Sequence, residues 1–412
     1  MPQMMDSFTN DIDNLEYSFL EQSEIQVLRL KAELQREDEI DPESDEHRLF
    51  RYNPFEDIEP AKRQELDETL NCLLRSIGSH MYNEHTLSIV DKRNPDNYYY
   101  SLRGVIRLKK KESLILSSCQ PRKLSLLLHI VAKVLVLIEA DRYMSLRELY
   151  YRSVEICNRR PTRLSHSLDD LCCLLGCSRS HLRILTQPKG IVYGDLKFSL
   201  KNGDRFDCLT NREGTPIPTP QFPIVSIESN AQSILILEKD SVLQRILSQE
   251  SATNFIDKYK VIIFTARGYP DLNSRAFLNL LWLRLKLPMF ALTDADPHGL
   301  EIVCCYKFGC FSSASESKYL ALPQIKWLGL LPSDVDAHHL PQSSTEKLST
   351  HDILKLKSLL KRPYLQSKPE WIYQINIMCD LNRKAELESI DTNGEYLVRT
   401  YLPNKLRYAS WL

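Results

Sequence analysis

The sequence predicts a multidomain α/β protein, with a helical half that ends in a β-hairpin followed by a half in which strands and helices alternate. Three observations predict it. At 412 residues, 43% hydrophobic and 26% charged, the chain has enough apolar surface for two substantial cores. Between Gln120 and Leu209 a helical apolar period gives way to strand-like runs around Asn202-Gly203. Beyond a proline-rich stretch, short apolar runs alternate with helical ones, the pattern of a parallel sheet.

Composition narrows the partners. The net charge of −1 hides an asymmetry: residues 1–70 hold 20 acids and 7 bases, which leaves 34 acids and 46 bases in residues 71–412. The folded part therefore suits a polyanion. No charge-free apolar run of about 18 residues is present and the acidic start has no targeting pattern, so a soluble intracellular protein with no membrane association is expected. The eleven cysteines are scattered without CxxC spacing, and Cys172, Cys173, Cys177, Cys304, Cys305 and Cys310 sit among apolar residues. Small buried hydrophobes are expected there, not a disulfide framework or a zinc ribbon.

In chain order, residues 1–70 read as an acidic, partly disordered extension in which Leu15, Phe19, Ile25 and Leu28 line one side of a helix between Leu15 and Leu34; docking to a partner or to the basic body is the alternative to a solvated tail. Lys109-Lys110-Lys111 precedes a buried helix, Leu124 to Ile138. Ser145 and Glu148 form a capping-box pattern that starts the next helix. Arg159-Arg160-Pro161 is a break, Ser167 caps a helix from Leu168 to Leu175 that stops at Gly176, and Ser178 caps another over Arg179 to Leu185. Helix, short turn, helix is the helix-turn-helix pattern, with Arg179, His181 and Arg183 as candidate groove and phosphate contacts. Strands at 191–194, 196–200 and 205–209, with a type I′ turn at Asn202-Gly203, would complete a winged helix. A packing motif with no DNA role is the alternative.

Thr215 to Pro223 carries four prolines and the linker is set at 215–232, dividing a winged-helix domain at 71–214 from an α/β domain at 233–412. In the second domain the strand Ser233 to Leu237 ends at Glu238-Lys239-Asp240, and the strand Met289 to Leu292 ends at Asp294-Ala295-Asp296. Ligand groups in such sheets lie at the carboxyl ends of strands. Glu238, Asp294 and Asp296 are thus candidate ligands of a hard divalent cation such as Mg²⁺. Helix capping by Asp296 ahead of Pro297 is the bland alternative.

Arg147 and Tyr151 fall four residues apart on one helix face, which brings a cation to a phenol. A guanidinium there favours a phenolate or steadies a phosphate under attack, and Tyr151 is the candidate nucleophile. Tyr150 is turned about 100° away and is assigned to packing.

Taken together, these residues resemble the meiotic DNA double-strand-break proteins related to the A subunit of topoisomerase VI. The resemblance runs from about Leu124 to the C-terminus and rests on Arg147-Glu148-Leu149-Tyr150-Tyr151, Lys189-Gly190, Glu238-Lys239-Asp240, Gly268-Tyr269-Pro270-Asp271 with Arg275, and Asp294-Ala295-Asp296-Pro297-His298-Gly299. Trp327 to Asp334 and Tyr401 to Leu406 look like the meiotic branch. Glu148 stands for the usual aspartate, Ala266-Arg267 for Gly-Lys and Ser274 for threonine. The resemblance implies a winged helix followed by a Toprim-type metal-binding domain and a C-terminal helical region. It implies that Tyr151 attacks a phosphodiester of double-stranded DNA, leaving a 5′-phosphotyrosyl link and a 3′-hydroxyl. Arg147 would stabilise charge, Lys189 and Arg275 would contact DNA, and Glu238, Asp294 and Asp296 would carry Mg²⁺. A homodimer on DNA, a topoisomerase VI B-like ATPase partner, other break-formation proteins and a nuclear location are implied too. A topoisomerase VI A protein that relaxes DNA, an inactive DNA-binding scaffold and a Mg²⁺ nuclease are the alternatives.

Overall fold

The computed structural model describes residues 21–36, 53–84, 87–92, 94–108, 113–116, 121–337, 344–391 and 395–412. The expected residues Leu15, Phe19 and Lys109 to Lys111 lie outside these. Helix α1 covers residues 21–36, and beyond it two apolar cores organise the chain. The smaller core belongs to helices α2 (Pro60–Glu84), α3 (Pro121–Glu139), α4 (Leu146–Tyr151) and α5 (Pro161–Leu175). The expected helix α3 forms and buries Leu126, Leu127, Ile130, Val131, Val134, Leu137 and Ile138, an i, i+4, i+7 stripe that packs on Leu70 and Leu74 of α2.

Helix α5 begins at Pro161, seven residues before the expected Leu168. The proline occupies the first turn, where its missing N–H has no helical partner to lose, and Ser167 is a buried interior residue. It ends, as expected, at Gly176. The second helix of the expected helix-turn-helix is absent: residues 179–183 form turns, Arg183 has φ 59°, and Ile184–Leu185 pairs in parallel with Met144–Ser145. Leu182, Ile184 and Leu185 are all buried, so this segment is held by the core on both sides and not by one helical face.

Strands β1 (Ile191–Tyr193), β2 (Lys197–Leu200), β3 (Arg205–Asp207), β4 (Thr215–Pro216) and β5 (Ile224–Glu228) follow. The hairpin β2–β3 forms, and β5 adds to it as a three-stranded sheet in the order β5-β2-β3. Its loop is a three-residue one: Gly203 N donates to Leu200 O at 3.0 Å, Leu200 N to Asp204 O at 2.8 Å, and Gly203 alone takes positive φ. The expected type I′ turn would need Asn202 there as well. Strands β1 and β4 leave the wing and join the main sheet, so the expected linker at 215–232 supplies a strand to each sheet; the smaller core ends at Ile184, and the larger takes in Phe55, Tyr98 and Ile106 as well as the buried residues from Ile191 onward.

The main sheet adds β6 (Ser233–Leu237), β7 (Val261–Thr265), β8 (Met289–Leu292) and β9 (Lys326–Gly329), in the order β4-β1-β7-β6-β8-β9. From β7 to β9 it is parallel, and β6 and β8 are buried at every position because helices cover both faces. These helices include α6 (Asp240–Leu247), α7 (Glu250–Tyr259), α8 (Leu272–Leu285) and α9 (Pro297–Phe308). After β6 the chain moves to one side, to β7, and then returns past β6 to β8. The switch point therefore lies between the carboxyl ends of β6 and β8, where Glu238 and Asp294 follow.

Helix α1 docks on the main core through Ser23, Val27, Leu30 and Leu34, spaced four, three and four apart, and Arg407 Nε donates to Gln22 Oε1 at 2.7 Å. Ile25 and Leu28, expected on the apolar side, face solvent.

Candidate nucleophile and acidic cluster

Ser145 sets the frame of α4 by accepting from Glu148 N at 3.0 Å. The return half of the expected capping box is replaced by a Glu148–Arg152 ion pair at 2.7 Å. One turn on, Arg147 Nε donates to the Tyr151 hydroxyl at 3.4 Å, and the guanidinium lies 5.8 Å from the ring centroid. That phenol holds Arg147 above its ordinary value. Tyr151 is 61% exposed, whereas Tyr150 is half-buried and packs against the helical core beside fully buried Leu149. The single turn of α4 thus presents one phenol outward and anchors its neighbour inward.

At the switch point, burial first and then the Asp294 carboxylate push Glu238 up to about 8, while the Asp294 N–H it accepts at 3.0 Å restrains it. Burial also raises Asp294, against the pull of Lys239 Nζ at 2.7 Å from its Oδ2 and of Leu387 N, which donates to its Oδ1 at 2.9 Å. Asp296 caps α9 by accepting from Gly299 N at 2.6 Å. A Cβ on Gly299 would come within 2.3 Å of Asp294 O and 3.1 Å of Glu238 Oε2, so glycine lets α9 start against the carboxylates. Among the described residues no group of three or more His, Cys, Asp or Glu side chains is arranged as a metal cage. Of the expected triad, Glu238 accepts from Asp294 N and Asp296 from Gly299 N, each through one oxygen, while Asp294 accepts from Leu387 N and Lys239 Nζ through one oxygen apiece. Crowded, buried carboxylates are the donor chemistry of a hard cation, and these three fit one.

Lys239, Glu386 and Glu388 went unrecognised in the sequence. Lys239 Nζ lies 3.3 Å from Glu386 and 3.4 Å from Glu388, and the segment carrying both is fixed by the Ala295–Ala385 bridge. Only long-range pairing brings residues 385–388 here. Nearby, the Tyr269 hydroxyl donates to Glu301 at 2.6 Å and meets His298 Nδ1 at 3.1 Å; Glu301 also pairs with Lys355 and Arg362, whose contacts hold its carboxyl down at about 2 against burial. The expected departure residue Arg267 pairs with Asp240 at 3.2 Å.

The expected DNA contacts separate sharply. Lys189 is exposed, and its backbone N–H donates to Asp271 Oδ2 at 2.8 Å while Oδ1 of the same aspartate caps α8. Beside it, a Cβ on Gly190 would lie 2.9 Å from Phe264 and Ser274, which requires glycine where this segment crosses the sheet. Arg179, Arg183 and Arg275 are turned inward instead. Arg179 bonds Asp169 and Ser165, Arg183 is 4% exposed and bonds Asp67 and Tyr143, and Arg275 is 3% exposed against Ser313 and Cys310. A desolvated arginine needs its partners, so these three serve the fold.

Family comparisons meet this geometry. The model for the Toprim domain shared by Spo11 and the A chain of topoisomerase 6 matches residues 233–406, and that for type IIB DNA topoisomerase matches residues 122–184. Meiotic recombination protein SPO11 of Mus musculus is 36% identical over 293 residues, 71% of this chain and 73% of the relative. The chain belongs to the family of Spo11 and the topoisomerase 6 A protein. That A protein from Arabidopsis thaliana is 35% identical over 331 residues, 79% of this chain and 76% of the relative. The type IIB match holds Arg147 and Tyr151; the Toprim match holds Glu238, Asp294 and Asp296, and Lys189 falls between the two. Among the described residues no helix is long and apolar enough to cross a membrane.

Proposed function

We propose that this protein makes meiotic DNA double-strand breaks by transesterification through Tyr151. The observation that carries the reading is an outward phenol, 61% exposed, with Arg147 Nε at 3.4 Å on a capped helical turn. The tyrosine oxygen bonds to the scissile phosphorus and gives up its proton. The bond from phosphorus to the 3′ oxygen breaks, and that oxygen leaves as a hydroxyl; the 5′ phosphate stays on the protein. Arg147 is placed to balance charge on the phosphate oxygens, and Lys189 to hold the backbone. Glu238, Asp294 and Asp296 would hold Mg²⁺, with Lys239 beside Asp294. When bound, such an ion supplies charge neutralisation at the phosphate. Tyr151 and the carboxylates stand on different cores, which suits a homodimer in which each tyrosine works beside its partner's carboxylates. A topoisomerase 6 B-like ATPase and other break-formation proteins are the partners proposed, in the nucleus.

Covalent capture tests this. The protein is denatured with its DNA and digested, and the digest is searched for a tyrosine-linked oligonucleotide. The adduct should vanish in Tyr151→Phe and survive in Tyr150→Phe. The reverse pattern, or free 5′-phosphates in Tyr151→Phe, would sink the assignment. Relaxation of supercoiled DNA with ATP and a B-like ATPase would favour the topoisomerase reading.

A further inference from the structure

With Arg179, Arg183 and Arg275 committed to the interior, other cations must hold DNA around Tyr151. A cleft among the described residues of the helical half suits that task. It measures about 510 Å³ and is lined by Arg122, Lys123, Arg163 and His166 over an apolar floor of Leu126 and Ile156. Among the described residues no carboxylate lines it. Lys123 pairs with Asp170 at 2.8 Å, but Asp170 is shared with Lys92 at 3.2 Å, so that corner carries a positive surplus. The cleft on the wing differs: at about 380 Å³ its walls include Asp207 and Glu228, and its Lys197 is already paired with Asp207 at 3.1 Å.

Position links the cleft to the nucleophile. Ile156 lies five residues beyond Tyr151, and an extended chain spans at most about 3.6 Å per residue, so their Cα atoms are within about 18 Å. Phosphates on one strand recur every ~3.4 Å of duplex axis, so with the reach of the tyrosine side chain added the cleft lies within roughly one helical turn of a phosphate under attack. Arg142, Arg147, Arg152, Arg159 and Arg160 are exposed on the stretch between the end of α3 and the start of α5.

We infer that this cleft, walled by Arg122 and Arg163, seats the sugar–phosphate backbone of the DNA flanking the scissile phosphate. The inference rests on the DNA-cleaving reading above. Arginine forks take phosphate oxygens and the apolar floor receives the sugar face. Contacts to phosphate and sugar carry no base information, so the contact is independent of sequence.

Fluorescence anisotropy of the full chain with a labelled duplex, from 50 to 300 mM salt, tests it. Each phosphate contact contributes about 0.9 to the salt slope, so Arg122→Ala/Arg163→Ala should lower the slope by about 1.8 and weaken binding roughly sixty-fold at 0.1 M. Arg122→Lys/Arg163→Lys should keep most of the slope. Arg122→Glu alone, at an exposed position, covers the case in which the double variant does not fold. Lys347→Ala/Lys361→Ala removes the same charge from exposed sites in the other half and should leave the slope unchanged. An unaltered slope in the cleft variant beside a binding wild type overturns the inference, as does an equal fall in the control. A wild type that binds no duplex fails earlier, at the DNA reading itself.

Discussion

Tyr150 and Tyr151 are chemically identical neighbours, and what separates them is surroundings. Leu149 is fully buried and Tyr150 leans on the same core, so Tyr151 is the phenol left at the surface with Arg147 one turn behind. If Arg147 stabilises charge only as the phosphate is attacked, Arg147→Ala should lower the cleavage rate about 10²- to 10³-fold, the usual range for losing one such donor, with little loss of DNA affinity. Single-turnover cleavage and anisotropy on the same variant separate the two effects. A loss confined to binding would make Arg147 an ordinary backbone contact. Lys239 differs in kind, since it holds Asp294 at 2.7 Å and was not singled out by its position after Glu238.

At the scale of elements, the switch point depends on how closely α9 approaches β8. Gly299→Ala would force its Cβ against the Asp294 carbonyl at 2.3 Å, which α9 relieves only by moving away from Glu238. A cost of about 1–3 kcal/mol is expected, with several degrees off the melting temperature and weaker Mn²⁺ binding by calorimetry. Unchanged metal affinity would show that the start of α9 does not shape the site. The strands and their terminal acids were legible in the sequence because an apolar run ending in an acid is a local signal: β6 before Glu238, β8 before Asp294. What escaped was non-local. Arg179 and Arg183 read as groove contacts because Asp169, Asp67 and Tyr143 meet them only in the folded chain. The turn at 179–183 replaced a helix because Leu182, Ile184 and Leu185 are buried together, a demand no helical period announces. Likewise β1 and β4 left the wing for a sheet whose other strands begin at Ser233.

Across the whole molecule, the two cores meet at the segment Phe311–Glu316, which packs against α5 and the strand Ile106–Leu108. Glu316 is buried there, facing Arg179, Asp169 and Lys92 from the helical half and Arg275 from α8, and burial raises it to about 7. A carboxyl that the fold keeps protonated contributes stability below its ordinary 4.5, and that contribution is lost as pH rises through about 7. Glu316→Gln should therefore gain up to about 3 kcal/mol on the wild type between these limits in urea unfolding. Parallel pH profiles would remove Glu316 from the account.

Dimer architecture has the sharpest test. In a symmetric dimer whose sites each combine one protomer's Tyr151 with the other's Glu238, Tyr151→Phe and Glu238→Gln are each inactive alone. Mixed, they form a heterodimer in which one site inherits both defects and the other inherits none. Equal mixing with free exchange should restore about a quarter of the sites, all of them cutting one strand. The products would be nicks carrying covalent protein, with no double-strand breaks. If each protomer instead supplied its own tyrosine and carboxylates, every site in the mixture would carry a defect and no nick would form. Gel analysis of a nicked against a linear plasmid, with the adduct traced to the Glu238→Gln protomer, decides between the two arrangements.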